Sequence, residues 1–155
     1  MSTIDNKLKS LGIILPEAPF PAANYIPCIR RQNTIYVAGQ IPFWNGEILY
    51  KGKLGKDIDI ETGKKAAKTC ALNIIAVLKQ TIGSLDLISR CIKLGVFVNS
   101  TPDFEKQPEV ANGASDLFVE VFGDMGKHTR FAVSANSLPR GVCVEVDGVF
   151  ETLSS

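Results

Sequence analysis

The chain has 155 residues, of which 45% are hydrophobic and 21% are charged, and its formal net charge is +1. This length and composition suit one globular domain over residues 1–155, and they leave no basic excess that would favour a nucleic-acid partner. No apolar run is long enough to cross a bilayer and the start of the chain lacks a signal-peptide pattern, so we expect a cytoplasmic protein without a membrane partner.

The first 21 residues predict a short helix and an extended lead-in. Ser2 or Thr3 can cap a helix that runs through Leu11 and ends at Gly12. The segment "LPEAPFPAA" that follows is rich in proline, which holds a chain extended.

Strands are predicted next. The segments "YIPCIR" and "TIYVAGQI" are rich in β-branched and aromatic residues, with "RRQN" as the turn between them. The pair Asn45-Gly46 predicts a tight turn into a further strand, and the glycine-rich stretch over residues 51–63 predicts a loop.

Two later segments repeat apolar residues with a helical period. The first runs from Glu61 to about Gln80 and is closed by Gly83, and the second runs from about 102–104 through Val121. A long strand over residues 87–99 separates them. The residues predicted to be buried are Ala67, Cys70, Ala71, Ile74, Val77 and Leu78 in the first helix and Val110, Ala114, Leu117, Phe118 and Val121 in the second.

The segment "RFAVSANSLPRGVCVEVDGVF" over residues 130–150 predicts a terminal hairpin. Matching its two valine rows puts Arg130 and Glu145 on the same face of that hairpin. Two interpretations are open: a solvent-facing charge pair worth ~0–1 kcal/mol, or a half-buried anion site. In the second, the guanidinium clamps a carboxylate and the glutamate handles a proton or a water molecule.

The order of strands, helix, strand, helix and strands predicts an α+β fold with one mixed sheet and both helices on one face. The other face of the sheet still carries apolar side chains, which a lone domain would leave in water. We therefore expect this face to close against copies of the same chain.

The four cysteines, Cys28, Cys70, Cys91 and Cys143, are scattered among apolar segments, and the chain has a single histidine, His128. This pattern favours buried free thiols, with neither a metal site nor a cofactor. We expect His128 to lie at the surface end of a loop.

Several motifs follow one another over most of the chain: "VAGQIP" at 37–42, "VFVNSTPDF" at 96–104, "VANGASDLFVEVFG" at 110–123 and "TRFAVSANSLPRGVCVEVDGVFE" at 129–151. In order and spacing they resemble the Rid family, the YjgF-like reactive intermediate deaminases. "GKLGKDI", "CALN" and "QPEVANGASDLFVEVFG" resemble a longer subgroup that is often labelled L-PSP-type endoribonuclease.

The resemblance implies a chorismate-mutase-like domain with a mixed six-stranded sheet and two helices on one face. It also implies a homotrimer in which the sheets form an inner barrel and three clefts lie between subunits. In the founding branch of the family, each cleft hydrolyses enamines and imines such as 2-aminoacrylate to a 2-keto acid and ammonia.

Carried onto this sequence, the resemblance assigns carboxylate binding to Arg130 and the positioning or activation of water to Glu145. Tyr25 and Asn112 match cleft residues, and Gly39 matches a glycine whose backbone lies against the ligand. Without the resemblance, Tyr25 could be a core aromatic, Asn112 a surface amide and Gly39 the mark of a β-bulge.

Two positions of the expected substrate-binding set depart from the founding pattern. Ala38 stands where a serine is usual, and Ala132 stands where deaminating members commonly have cysteine. Both changes make the cleft less polar, although the backbone groups of both residues remain available to a ligand.

Three functions follow as hypotheses. The first is a hydrolase that deaminates small imine or enamine 2-amino acid intermediates. The second is a protein that binds a small carboxylate or keto-acid metabolite without turnover. The third is the endoribonuclease or translation inhibitor of the family labels, which the near-neutral charge and the single imidazole do not favour.

Overall fold

The computed structural model describes residues 2–21 and 23–154, and its first element is helix α1, Thr3–Ser10. The Ser2 side chain caps this helix by accepting a hydrogen bond from the backbone N–H of Asp5 at 3.0 Å. Residues 13–21 of the lead-in contain neither helix nor strand. The predicted short helix is confirmed and the extended form of the lead-in stays a prediction, while residue 22 of the lead-in and residues 1 and 155 of the expected domain lie outside the described residues.

The described residues form one main sheet and one small ladder. Their strands are β1 (Cys28–Arg31), β2 (Thr34–Gln40), β3 (Phe43–Trp44), β4 (Glu47–Ile48), β5 (Ile88–Asn99), β6 (Thr129–Ala135) and β7 (Val144–Thr152). The main sheet has five strands in the order β1-β2-β7-β5-β6, with β5 and β6 parallel and the other neighbours antiparallel. The mixed sheet is confirmed, and its predicted count of six strands is wrong.

The count differs because β3 and β4 pair with each other and not with the main sheet. Asn45 and Gly46 join them with φ angles of 46° and 95°, the left-handed backbone that a two-residue hairpin turn requires. The turn predicted from this pair is therefore confirmed.

Helices α2 (Ile60–Ile82) and α3 (Gln107–Phe122) pack on one face of the main sheet. Asp59 caps α2 by accepting from the backbone N–H of Thr62 at 2.8 Å. α3 begins later than predicted because residues 101–104 form a turn, and Pro108 then occupies the first helical turn, where its missing N–H costs nothing. The residues predicted to be buried on both helices are buried.

The predicted terminal hairpin is wrong. Strand β6 pairs with β5 in parallel and β7 pairs with β5 in antiparallel fashion, so β5 separates the two strands that the hairpin would have joined. Alternation of apolar residues shows which face of a strand is buried, but it does not name the neighbouring strand. The crossover through α3 places β6 beside β5 and at the edge of the sheet.

The sheet face opposite the helices, called the open face below, is apolar and accessible. Ile29, Tyr36, Phe97 and Val133 are exposed there, and the rings of Phe97 and Phe131 pack edge to face with centroids 5.2 Å apart. The prediction that this face carries unburied apolar side chains is confirmed. Within the described residues, no helix has both the length and the apolar character needed to cross a membrane.

Candidate functional site

Arg130 lies in edge strand β6, and its side chain points toward α3 rather than toward the open face. Its Cα is paired with that of buried Leu94, whose side chain faces the helices. Nη1 donates to Asn112 Oδ1 at 2.8 Å and to Ser115 Oγ at 2.9 Å, and Nη2 donates to the Pro108 carbonyl at 3.2 Å. None of these bonds to the described residues uses Nε, and Nη2 has a second N–H, so the guanidinium keeps donors that a carboxylate could accept from.

The partners of Arg130 are all neutral. None of the ion pairs formed within the described residues involves this guanidinium, which is half-buried. Its charge is therefore oriented by hydrogen bonds but not neutralised, which favours an anion. Ala132 stands two residues along β6 on the same face and leaves space beside the cation.

His128 extends this network. Its Nε2 lies 2.9 Å from Ser115 Oγ and its Nδ1 lies 2.6 Å from the Gly126 carbonyl oxygen. His128 lies at the end of a loop directly before β6, as expected, but the imidazole is half-buried and both ring nitrogens are engaged, so the expected surface exposure is wrong.

Glu145 lies in β7 on the open face, in one row with Phe97 and Val133. Burial raises the pKa of its half-buried carboxyl above the ordinary value, and the negative charge of Asp147 raises this pKa further. A carboxyl with a raised pKa holds and releases a proton closer to neutrality than an exposed one does.

Gly39 lies directly against this carboxyl. The register between β2 and β7 shifts between Val37 and Gln40, so Ala38 and Gly39 form a bulge. A Cβ atom on Gly39 would lie 3.0 Å from Glu145 Oε1, tighter than an ordinary contact, so a side chain here would crowd the carboxyl. Ala38 is half-buried and its N–H donates to the Pro27 carbonyl at 2.9 Å.

Tyr25 follows the lead-in and is about half exposed. It lines a cavity of about 250 Å³ together with Gly39, so both residues border the same space. Tyr25 is therefore not a core aromatic.

The structure thus separates the predicted site residues into two groups. Arg130, Asn112 and Ala132 form a cationic half-site on the helix side of the sheet edge, and Glu145, Gly39, Ala38 and Tyr25 form an acidic half-site on or beside the open face. The prediction that Arg130 and Glu145 share a face of one hairpin is wrong, because their side chains leave opposite faces of the sheet.

Ser115 and the Pro108 carbonyl hold Arg130 in place, and reasoning from the sequence missed both. With Asn112 they follow the helical spacing i, i+4 and i+7, which puts them on one face of α3. A polar row of this kind, opposite a strand arginine, is the signal that would have identified them.

The thiols take no part in either half-site. Cys70, Cys91 and Cys143 are buried, Cys28 is half-buried, and all four are free, as the sequence predicts. Burial raises the pKa of Cys91 and of Cys143 to about 12, so both stay protonated at neutral pH. No cluster of three or more His, Cys, Asp or Glu side chains that could hold a metal ion occurs in residues 2–21 and 23–154.

A mixed sheet with two crossover helices on one face and an exposed apolar face places the molecule in the chorismate-mutase-like class of α+β folds. Residues 5–148 match the family model described as "YjgF/chorismate mutase-like, putative endoribonuclease". The chain therefore belongs to the YjgF/chorismate-mutase-like family.

Relatives support the same assignment. The chain is 43% identical to protein TCP17 of Trypanosoma cruzi, over 93% of this chain and 91% of the relative. It is 32% identical to a RutC family protein of Pyrococcus abyssi, over 88% and 93%. A crystal structure of a protein of unknown function from Agrobacterium tumefaciens superposes with a TM-score of 0.89 at 42% identity, covering 97% of this chain and 94% of that one.

Proposed function

We propose that the protein is a homotrimer in which the cationic half-site of one copy faces the acidic half-site of the next. The composite cleft then hydrolyses small imine and enamine intermediates of 2-amino acids to 2-keto acids and ammonia. One domain over residues 1–155 and a cytoplasmic location belong to the same proposal, and four free thiols support a reducing compartment.

The observation that carries this proposal is the state of Arg130. Neutral oxygens orient this guanidinium, no described carboxylate neutralises it, and Nε makes no hydrogen bond to the described residues. It is therefore prepared for a carboxylate ligand. An imino acid supplies such a carboxylate beside its electrophilic carbon.

The position of Glu145 supports a composite site. Its carboxyl leaves the opposite face of the sheet from Arg130, so one copy cannot present both groups to one small ligand. The exposed apolar side chains on the open face offer a surface on which a second copy would bury Glu145 further.

The proposed hydrolysis requires little more than the correct orientation of the substrate and a water molecule. The carboxylate of the substrate binds Arg130, and for an enamine the terminal carbon first takes a proton, which yields the imine. Glu145 accepts a proton from water while the water oxygen bonds to the imine carbon. Glu145 gives the proton taken from water to the nitrogen. The hydroxyl oxygen then forms the keto C=O and releases its proton to the nitrogen as the C–N bond breaks, so ammonia departs and a 2-keto acid remains.

Three variants test the proposal with 2-aminoacrylate generated in the assay. Arg130→Ala should lower keto-acid production on the order of a hundredfold or more, because the carboxylate anchor is lost. Glu145→Gln should abolish turnover and retain carboxylate binding. Arg30→Ala is the matched control, since this exposed arginine donates a hydrogen bond to the Gln32 carbonyl and lies outside both half-sites.

Other outcomes are equally informative. Wild type no faster than buffer, with benzoate binding that depends on Arg130, would replace the hydrolase by the non-catalytic carboxylate-binding protein. Cleavage of RNA by wild type that His128→Ala and Arg130→Ala both abolish would instead support the endoribonuclease of the family description. Carboxylate binding that is unchanged in Arg130→Ala would reject the proposal.

A further inference from the structure

The cavity beside the acidic half-site has a lining that the proposed chemistry does not use. It holds about 250 Å³ and is called the side-chain pocket below. Its walls are mostly apolar, from Pro19, Phe20, Tyr25, Ile41, Phe43 and Ile48. Gly39 lines it too, and the same glycine lies against the Glu145 carboxyl.

We infer that the side-chain pocket receives the side chain of the substrate, and that it selects 2-imino acids with branched aliphatic or aromatic side chains over the smallest ones. This inference rests on the proposed function, because the anchor and the reacting carbon define where the side chain points. It adds the class of substrate, which neither half-site determines.

The position of the pocket supports this occupant. Gly39 lines the pocket and also lies against the Glu145 carboxyl, so the pocket and the acidic half-site meet at this residue. A ligand whose reacting carbon lies near Glu145 therefore has an apolar recess one residue away for its side chain.

The pocket is also preformed. Buried Asn73 of α2 donates to the carbonyls of Ile41 and Phe43 at 3.2 and 2.7 Å, which fixes one wall to the helix. The proline-rich lead-in supplies the opposite wall, and the Glu17 N–H donates to Asn45 Oδ1 at 3.4 Å, which ties it to the β3–β4 turn. Walls that are already ordered lose little entropy when a ligand binds.

The charge of the lining decides what the pocket rejects. Among the described residues that line it, Arg140 is the charged one and none is a carboxylate. A cationic side chain would meet like charge and apolar walls, so it would lose its hydration without a partner. An uncharged apolar group gains burial instead.

Titration calorimetry with three 2-keto acids tests the inference without requiring turnover. Pyruvate, 2-oxobutyrate and 4-methyl-2-oxopentanoate share the carboxylate and differ in apolar size. We expect the dissociation constant of wild type to fall by about tenfold or more from the first to the last. Ile48→Trp fills the pocket and should remove most of this increase in affinity with side-chain size.

Two further variants sharpen the result. Ile14→Trp makes the same substitution at an exposed isoleucine outside the pocket lining, and it should keep the full increase in affinity with side-chain size. Ile48→Ala enlarges the pocket and should shift the preference toward phenylpyruvate, which tests the inference even if Ile48→Trp does not fold.

The failures of the two proposals differ. If all three acids bind wild type equally and Arg130→Ala abolishes this binding, the role of the side-chain pocket is overturned and the proposed function stands. If affinity rises equally with the size of the keto acid in Ile48→Trp and Ile14→Trp, the role of the side-chain pocket is overturned and the proposed function stands. Binding that is absent, or independent of Arg130, overturns the proposed function and this inference with it.

Discussion

The guanidinium of Arg130 is positioned by a chain of hydrogen bonds that continues beyond its direct partners. The Gly126 carbonyl can only accept, so Nδ1 of His128 carries a proton. In the neutral imidazole, Nε2 then accepts from the Ser115 hydroxyl, whose oxygen in turn accepts from Arg130 Nη1. Each group in this chain thereby determines the orientation of its neighbour, and this restricts the conformations of the Arg130 side chain.

Ser115→Ala should weaken the binding of benzoate by about three- to tenfold, because Arg130 loses one of its orienting hydrogen bonds. The measurement is titration calorimetry on the intact protein. The control is Ser137→Ala, which removes a hydroxyl from an exposed residue outside both half-sites. Equal affinities for Ser115→Ala and wild type would show that Asn112 and Pro108 suffice to hold the guanidinium.

The raised pKa of Glu145 predicts how the stability of the folded protein depends on pH. Because burial raises its pKa in the folded state above 4.5, its ionisation opposes folding. The stabilising contribution of the protonated carboxyl is complete below pH 4.5 and is lost as the pH rises through the folded-state pKa.

Glu145→Gln should therefore unfold at a higher temperature than wild type at pH 7, and the difference should shrink toward zero below pH 4.5. Thermal unfolding followed by circular dichroism at both pH values measures it. Glu105→Gln, at an exposed loop position, controls for the loss of a charge elsewhere. A difference that is constant with pH would contradict the argument.

At the scale of elements, α2 and α3 approach each other at two glycines. A Cβ atom on Gly113 would lie 2.0 Å from the backbone carbonyl oxygen of Lys64, so the two helices touch backbone to backbone there. A Cβ atom on Gly63 would meet only side-chain ends, with Leu54 Cδ1 at 3.1 Å and Val110 Cγ1 at 3.2 Å. This close packing brings the face of α3 that carries Asn112 and Ser115 into its position beside β6.

Gly113→Ala should lower the free energy of unfolding by about 1–3 kcal/mol, because helix backbones must separate to admit the methyl group. Gly63→Ala is a matched control inside a helix. Its contacts can move, and the better helix propensity of alanine, worth up to about 1 kcal/mol, offsets the crowding. Urea unfolding of both variants measures the difference, and a Gly113→Ala protein as stable as wild type would refute this packing argument.

The limits of sequence reasoning are also visible at this scale. Periodicity identified α2 and α3 and their buried faces, because burial imposes the helical repeat directly on the sequence. It misplaced the start of α3, since the turn over 101–104 competes with a helix that the same residues could begin. It also misassigned the partner of β6, since alternation is the same whichever strand lies beside it.

At the scale of the whole molecule, the proposed function requires the open face to link assembly to activity. Its exposed apolar residues adjoin Glu145, so a copy that covers this face would bury the acid and bring its own residues to the cleft. In this proposal association and carboxylate binding are properties of the same surface.

Val133→Asp should break this assembly, because it places a charge among the exposed apolar side chains of the open face. Sedimentation velocity should show trimers for wild type and a shift toward single copies for the variant, with a parallel loss of benzoate binding. Val119→Asp, the same substitution at an exposed valine of α3 on the helix side of the sheet, should remain trimeric. A Val133→Asp protein that stays associated and binds benzoate normally would contradict the proposed assembly.

Beyond the resemblance that assigned the site residues, the sequence by itself determined the helices, most strands and the apolar open face. These features depend on local propensity and on burial period, both of which are written along the chain. Only the tertiary structure decided that Arg130 and Glu145 leave opposite faces of the sheet and that Ser115 and His128 support the arginine. The partner of β6 is chosen by the α3 crossover and by packing across the sheet, and these contacts join residues whose distance along the chain carries no local signal.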